Sequence, residues 1–164
     1  MNQTILASKK EVVANLVDKF NTSKSVVVVE YRGLTVSEIS ELRKQLREVN
    51  ASLSVYKNTL VQKANDSLGH EELDQYLTGS NAYVFCSDVI AGPKVLAKFA
   101  KKNKKLGIKA GLIEGTVMDA DGVKEVAKLP GREGLISMFL SCLQAPIRSF
   151  ACTVKAVADS KENA

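Results

Sequence analysis

The sequence predicts one layered α/β or α+β domain over residues 1–130 and a helical segment over 131–164. Two observations carry this. Four short strand-like stretches alternate with amphipathic helical ones, a pattern that layers helices on a sheet. After Pro130-Gly131 the pattern becomes a heptad-like apolar repeat with no further strand. At 164 residues, 45% hydrophobic and 25% charged, the chain has enough apolar side chain for a real core and is too short for most multidomain enzymes.

Ser8-Lys9-Lys10-Glu11 has the form of a capping box, in which side chains satisfy the free N–H groups at a helix start. Val13, Leu16, Val17 and Phe20 follow on one helical face, predicting a first helix that ends near Asn21. Ser25 to Tyr31 is β-branched and apolar on both faces, as a central strand should be. Arg32-Gly33-Leu34 turns the chain. Thr35-Val36-Ser37-Glu38 is a second capping box; Ile39, Leu42, Leu46 and Val49 stripe the helix it opens, with Arg43, Lys44 and Arg47 on the other side.

Ser52 to Tyr56 alternates as a half-buried strand, and Asn58 or Thr59 is placed to cap a third helix, Leu60 to Leu68. A short acidic helix at Glu71 to Leu77 leads to a third strand, Ala82 to Cys86, and then to a Lys-rich helix over Asp88 to Lys105. The fourth strand is read over Ile108 to Val117, although Gly111 and Gly115 interrupt it; glycine weakens a strand unless a bulge or close approach requires it. Beyond Pro130, Ile136, Leu140, Leu143, Ile147, Phe150, Val154 and Val157 recur at alternating steps of four and three on one helical seam. Pro146 removes a backbone donor, predicting a kink or restart, and Asp159 to Ala164 reads as a solvated tail.

The net charge is +5, but its distribution is uneven: residues 64–90 carry five acids and no Lys or Arg, and residues 91–109 carry seven lysines and no acid. Such segregation predicts basic faces and an acidic one. With Trp absent and 5% aromatics, nucleic-acid contact would rest on charge and backbone rather than on stacked bases. Cys86, Cys142 and Cys152 lie in apolar stretches without a C-x-x-C pair, predicting buried thiols in a reducing, cytoplasmic compartment. No stretch approaches the ~18 consecutive apolar residues of a spanning helix, and Met1 to Lys10 lacks the form of a secretion signal.

Catalysis finds no support in the residues. His70 is the only histidine, there is no phosphate-binding glycine loop, and the acid pairs Asp119/Asp121 and Glu71/Glu72 read as caps or solvated charge. No metal or cofactor is expected, and an enzyme reading would require a pocket with shifted acids or a bound ligand. The lysines from Lys94 to Lys105 fit a solvated face or a phosphate-contacting one equally well. The C-terminal seam either closes on the core or docks partner helices, and its length beyond the Pro-Gly break favours the second.

Tyr31-Arg32-Gly33-Leu34-Thr35-Val36, Leu42-Arg43, Leu46-Arg47 and Tyr56-Lys57-Asn58-Thr59-Leu60 resemble the family of large-subunit (50S) ribosomal protein L-ten, the bacterial stalk-base family. The resemblance continues through Gly92-Pro93-Lys94, Phe99-Ala100-Lys101, Glu114-Gly115, Leu129-Pro130 and Gln144-Ala145-Pro146; Gly79-Ser80-Asn81 departs from the family's usual Gly-Pro-Thr. It implies a ferredoxin-like α+β domain with a four-stranded sheet over 1–130 that binds 23S rRNA at the stalk base, beside ribosomal protein L-eleven. It also implies a C-terminal helical segment over 131–164 that anchors dimers of the acidic stalk protein L-seven/L-twelve, two by the length of the seam, through which translation GTPases are recruited. On this reading Lys9, Lys10, Arg32, Lys57, Asn58 and Thr59 contact phosphate and sugar, Tyr31 and Gly33 shape the turn, and Arg43 and Arg47 add charge. The seam from Ile136 to Val157 receives the stalk dimers. A stand-alone RNA-binding regulator, repressing its own messenger RNA through the same basic face, is the alternative.

Overall fold

Four consecutive valines offer water no polar face, and the computed structural model, which describes residues 3–103 and 105–162, buries all four almost completely. They form β1 (Ser25–Glu30), the middle strand of an antiparallel sheet with β2 (Ala51–Ser54), β3 (Asn81–Cys86), β4 (Gly107–Ile113) and β5 (Thr116–Asp119), ordered β2-β3-β1-β4-β5. Because side chains alternate along a strand, β1 feeds two cores. Val26 and Val28 face one layer of helices, and Val27 and Val29 face the other. Each buried valine contributes about 1.5–3 kcal/mol relative to exposure.

The first layer holds α1 (Gln3–Thr22), through Leu16 and Phe20, and α3 (Asn58–Leu68), through Val61 and Ala64, with a short 3-10 helix at Glu71–Tyr76. In the second lie α2 (Val36–Glu48), α4 (Ala91–Lys102) and α5 (Ala120–Lys128), through Leu42, Leu46, Leu96, Phe99 and Val123. The order β2-β3-β1-β4, with α2 and α4 as crossovers, is the split β-α-β pattern of the ferredoxin-like arrangement. To that pattern the chain adds α1, α3, β5 and α5.

Between Val28 and Val29 the β1–β4 register slips by one residue, leaving Lys109 as the extra residue of a β-bulge. The slip changes which face each side chain meets. Ala110 and Leu112 join one core while Ile108, two residues before Ala110, packs against the other.

The chain divides into two compact units, residues 1–128 and 129–164. The second contains α6 (Arg132–Glu162), whose start is closely packed: a side chain at Gly134 would come within 2.7 Å of Pro130 Cβ.

Several expectations require correction. The sheet has five strands, not four, because the stretch read as one strand turns at Glu114 (φ +49°) and Gly115 (φ +81°) into the β4–β5 hairpin; Gly115 takes that backbone conformation without a Cβ penalty. Gly111 is instead a close approach, with Val123 Cγ2 2.7 Å from where its Cβ would stand. Ser8 does not cap α1, which is already helical from Gln3, and neither Asn58 nor Thr59 caps α3, whose cap position is Lys57 with no side-chain bond. The Lys-rich helix is shorter than read, and α5 follows β5 where no helix is anticipated. The helix of the second unit runs through Pro146 without a restart and continues into the expected tail, of which Asn163 and Ala164 lie outside the described residues.

Candidate functional site

At the C-terminal end of β1 the chain makes a four-residue turn, closed by Leu34 N–H donating to the Tyr31 carbonyl at 3.2 Å. Gly33 occupies its third position at φ +90°, where a type II turn requires a positive φ. Arg32 therefore sits exposed at the tip. Tyr31 N–H donates to Ser80 O at 3.4 Å, tying this turn to the loop before β3. That loop is in turn held by Asn58, whose Nδ2 donates to Gly79 O at 2.9 Å while its Oδ1 accepts from the Tyr83 hydroxyl at 3.1 Å. Burial pushes the Tyr83 hydroxyl up to about 12, so it stays a donor at any physiological pH.

The bulged Lys109 completes the scaffold. Its Nζ lies 3.3 Å from Glu30 Oε2 and donates to Thr78 O at 2.6 Å and to Asn81 Oδ1 at 3.1 Å. The turn carrying Arg32 and the start of α3 carrying Lys57 are thereby joined through one hydrogen-bonded loop, residues 78–81. Lys57 and Thr59 are exposed, whereas Asn58 directs both ends of its amide to protein groups and acts as a positioning residue.

Tyr31 and Arg43 line one hollow of about 220 Å³ with Leu34, Val36 and Val55, so Arg43 borders the Arg32 turn. Arg47 lies one helical turn further along α2 and shares with Arg43 a shallow hollow edged by Lys44 and Ser40. Lys9 and Lys10 are exposed on α1, in the layer on the opposite side of the sheet from α2. None of these cations makes an ion pair among the described residues. No three His, Cys, Asp or Glu side chains gather to hold a metal among them either.

Two further contributors come from distant positions: Lys105, which the sequence reads only as part of a lysine run suited to solvent or to phosphate, and the Glu30–Lys109 pair. Lys105 runs its aliphatic stem beside Gly33, 3.8 Å from where a Cβ there would be, and so adds a cation to the Arg32 turn. Glu30 and Lys109 lie 79 residues apart, and only the sheet register joins them.

In the second unit, all seven residues read as a seam on α6 are more than half exposed, from 52% at Ile136 to 73% at Ile147. Met138 and Phe139, at 56% and 65%, widen the stripe beyond the heptad positions. Ser137, Ser141, Gln144, Arg148, Lys155 and Asp159 fall on a narrow polar strip. Cys142 and Cys152 are exposed as well, contrary to the expectation of buried thiols; only Cys86 is buried. By length and composition alone Glu133–Asp159 would suffice to cross a membrane, with a mean hydropathy of 1.4, but the polar strip breaks any continuous apolar run.

Residues 4–101 match the family described as "Ribosomal protein L10", and residues 129–164 match "Ribosomal protein uL10 C-terminal region". Proteins named "Large ribosomal subunit protein uL10" from Bacillus cereus strain B4264 and Bacillus anthracis strain A0248 are 54% identical over 159 residues, 96% of either chain. The chain belongs to the ribosomal protein L10 family. This L10 family is structural rather than enzymatic. The match to the uL10 C-terminal region begins at Leu129, where the second compact unit begins.

Proposed function

We propose that the chain is a structural constituent of the large ribosomal subunit, in the cytoplasm, joining 23S rRNA at the stalk base to dimers of the acidic stalk protein L-seven/L-twelve. The observation that carries the reading is α6: nine large apolar side chains stand exposed along one helix, a surface that gains from burial against partner helices. The stalk dimers would dock in register on the seam from Ile136 to Val157 and bring translation GTPases to the ribosome. Arg32 on its turn, Lys57 at the start of α3 and Lys105 beside Gly33 would present cations to phosphate, and Arg43, Arg47, Lys9 and Lys10 would extend the RNA contact. Ribosomal protein L-eleven would be the neighbour on the same RNA.

The test is native mass spectrometry of the full chain mixed with the cognate acidic stalk protein. One copy with four stalk chains is expected; six would mean a third docking unit, and no complex would overturn the anchoring role. The double variant Phe150→Asp/Val154→Asp should release stalk chains while rRNA affinity is unchanged. Arg32→Ala/Lys57→Ala should weaken stalk-base rRNA binding and reduce the slope of log K against log salt by about 1.4–1.8, roughly 0.7–0.9 for each phosphate no longer neutralised. An unchanged slope would remove both residues from the interface.

A further inference from the structure

We propose that the groove between α4 and α5, on the first unit, docks an acidic amphipathic helix of a partner protein. The groove has a volume of about 670 Å³ and is edged by Lys94, Lys98 and Lys101 from α4 and by Lys124 and Lys128 from α5. On α4 these cations recur at i, i+4 and i+7, a row about 10 Å long, and the α5 pair stands at i, i+4 across from it. Only Lys124 has an ion-pair partner among the described residues, Asp121 at 2.8 Å; no carboxylate lines the groove.

The floor identifies the occupant. Between the lysine rows lie Ala97, Ala100, Leu106, Ile108 and Ala127, with Gly107 among them. Small aliphatic side chains let the apolar stripe of another helix approach closely, and the flanking ammonium groups match carboxylates on either side of that stripe. RNA would use the lysines but not this floor. The lining contains no aromatic ring to stack a base, and no amide or hydroxyl to reach a base edge or a 2′-OH. This docking does not depend on the rRNA reading, because none of the residues assigned to RNA contact lines the groove.

The experiment uses the full chain and a fluorescein-labelled synthetic helix of about 18 residues, with leucines at i, i+3, i+4 and i+7 and glutamates flanking them, beside a scrambled peptide of equal composition. The ordered peptide should bind at least tenfold more tightly than the scrambled one, shift the amide resonances of Ala97, Ala100 and Ala127, and weaken with salt. Lys98→Glu/Lys101→Glu should reduce its affinity at least tenfold, and Ala97→Phe, which fills the floor without changing charge, should do the same. Binding of stalk-base rRNA should be unchanged in both variants, which also reports that they are folded. Equal binding of the scrambled peptide, no binding of either, or loss of RNA affinity with peptide affinity retained would overturn the proposal; the last outcome would make the groove an RNA surface.

Discussion

Cys86 and Cys142 carry the same side chain in opposite surroundings. Cys86 is 1% exposed, lies where any side chain at Gly92 would collide with it, and has its thiol pushed by burial up to about 11. Only roughly one molecule in a thousand would carry the reactive thiolate there at pH 8. Cys142 and Cys152 stand exposed on α6. A thiol reagent applied to the isolated native chain at pH 8 should therefore modify two cysteines rapidly and the third only after denaturant is added. Three rapid modifications, counted by mass, would contradict the burial of Cys86. All three cysteines have apolar neighbours in sequence, which is why the sequence predicts three buried thiols. Whether an apolar stretch is covered by a sheet or left on an open helix is decided by tertiary contacts that local composition does not carry. The same limit applies to Asn58, legible as a polar residue at a strand end but not as a brace between Gly79 and Tyr83.

Secondary-structure elements were legible where their determinants are local. At the start of α2, Glu38 N–H donates to Thr35 Oγ1 at 3.4 Å and Thr35 N–H donates to Glu38 Oε2 at 2.7 Å, a capping box readable from four consecutive residues. Thr35→Ala should cost about 1 kcal/mol, measured as a loss of unfolding free energy in urea. The backbone hydrogen bond from Thr35, aided by its hydroxyl, holds the Glu38 carboxyl below its ordinary value of 4.5. Because the folded state favours the ionised form, the contribution is present above pH 4.5 and is lost as the pH falls through the lowered value. Because the backbone bond survives in Thr35→Ala, the difference between wild type and variant should shrink as acid is added only by the share of the lost hydroxyl–carboxylate bond; a constant difference down to pH 3 would show that the hydroxyl does not act on the carboxylate. Ser8-Glu11 has the same spelling yet lies inside α1, since a capping motif marks a helix start only where the preceding residues are not helical themselves. The β4–β5 turn is not legible in the sequence because Glu114-Gly115 lacks the Asn-Gly or Asp-Gly signature of a two-residue hairpin.

At the scale of the molecule, both buried clusters draw their residues from positions 16–123. A chain ending at Lys128 should melt cooperatively within about 4 °C of the full protein, a margin of about 1 kcal/mol, as followed by circular dichroism. A broad, non-cooperative melt would mean that 129–164 is needed for the first unit to fold. Four strand patterns with helices between them were legible in order along the chain and fix a layered α/β or α+β domain; the split β-α-β order itself came only from the family resemblance, because strand pairing is set by contacts far apart in sequence. The two outer additions, β5 and α5, were not legible, and neither was the loop that joins Arg32 to Lys57.

The central position of β1 also bears on how the protein is made. Both ladders of β1 are formed with strands far downstream, Asn81–Cys86 and Gly107–Ile113. During N-to-C synthesis at about 5–20 residues per second, its four valines wait about 4–17 s before the second partner has been made. The hydrophobic face of α1, with Leu16 and Phe20 that finally cover Val26 and Val28, is complete before the valines appear. The leading helix is thus the first surface able to shelter this β-branched apolar stretch of the nascent chain.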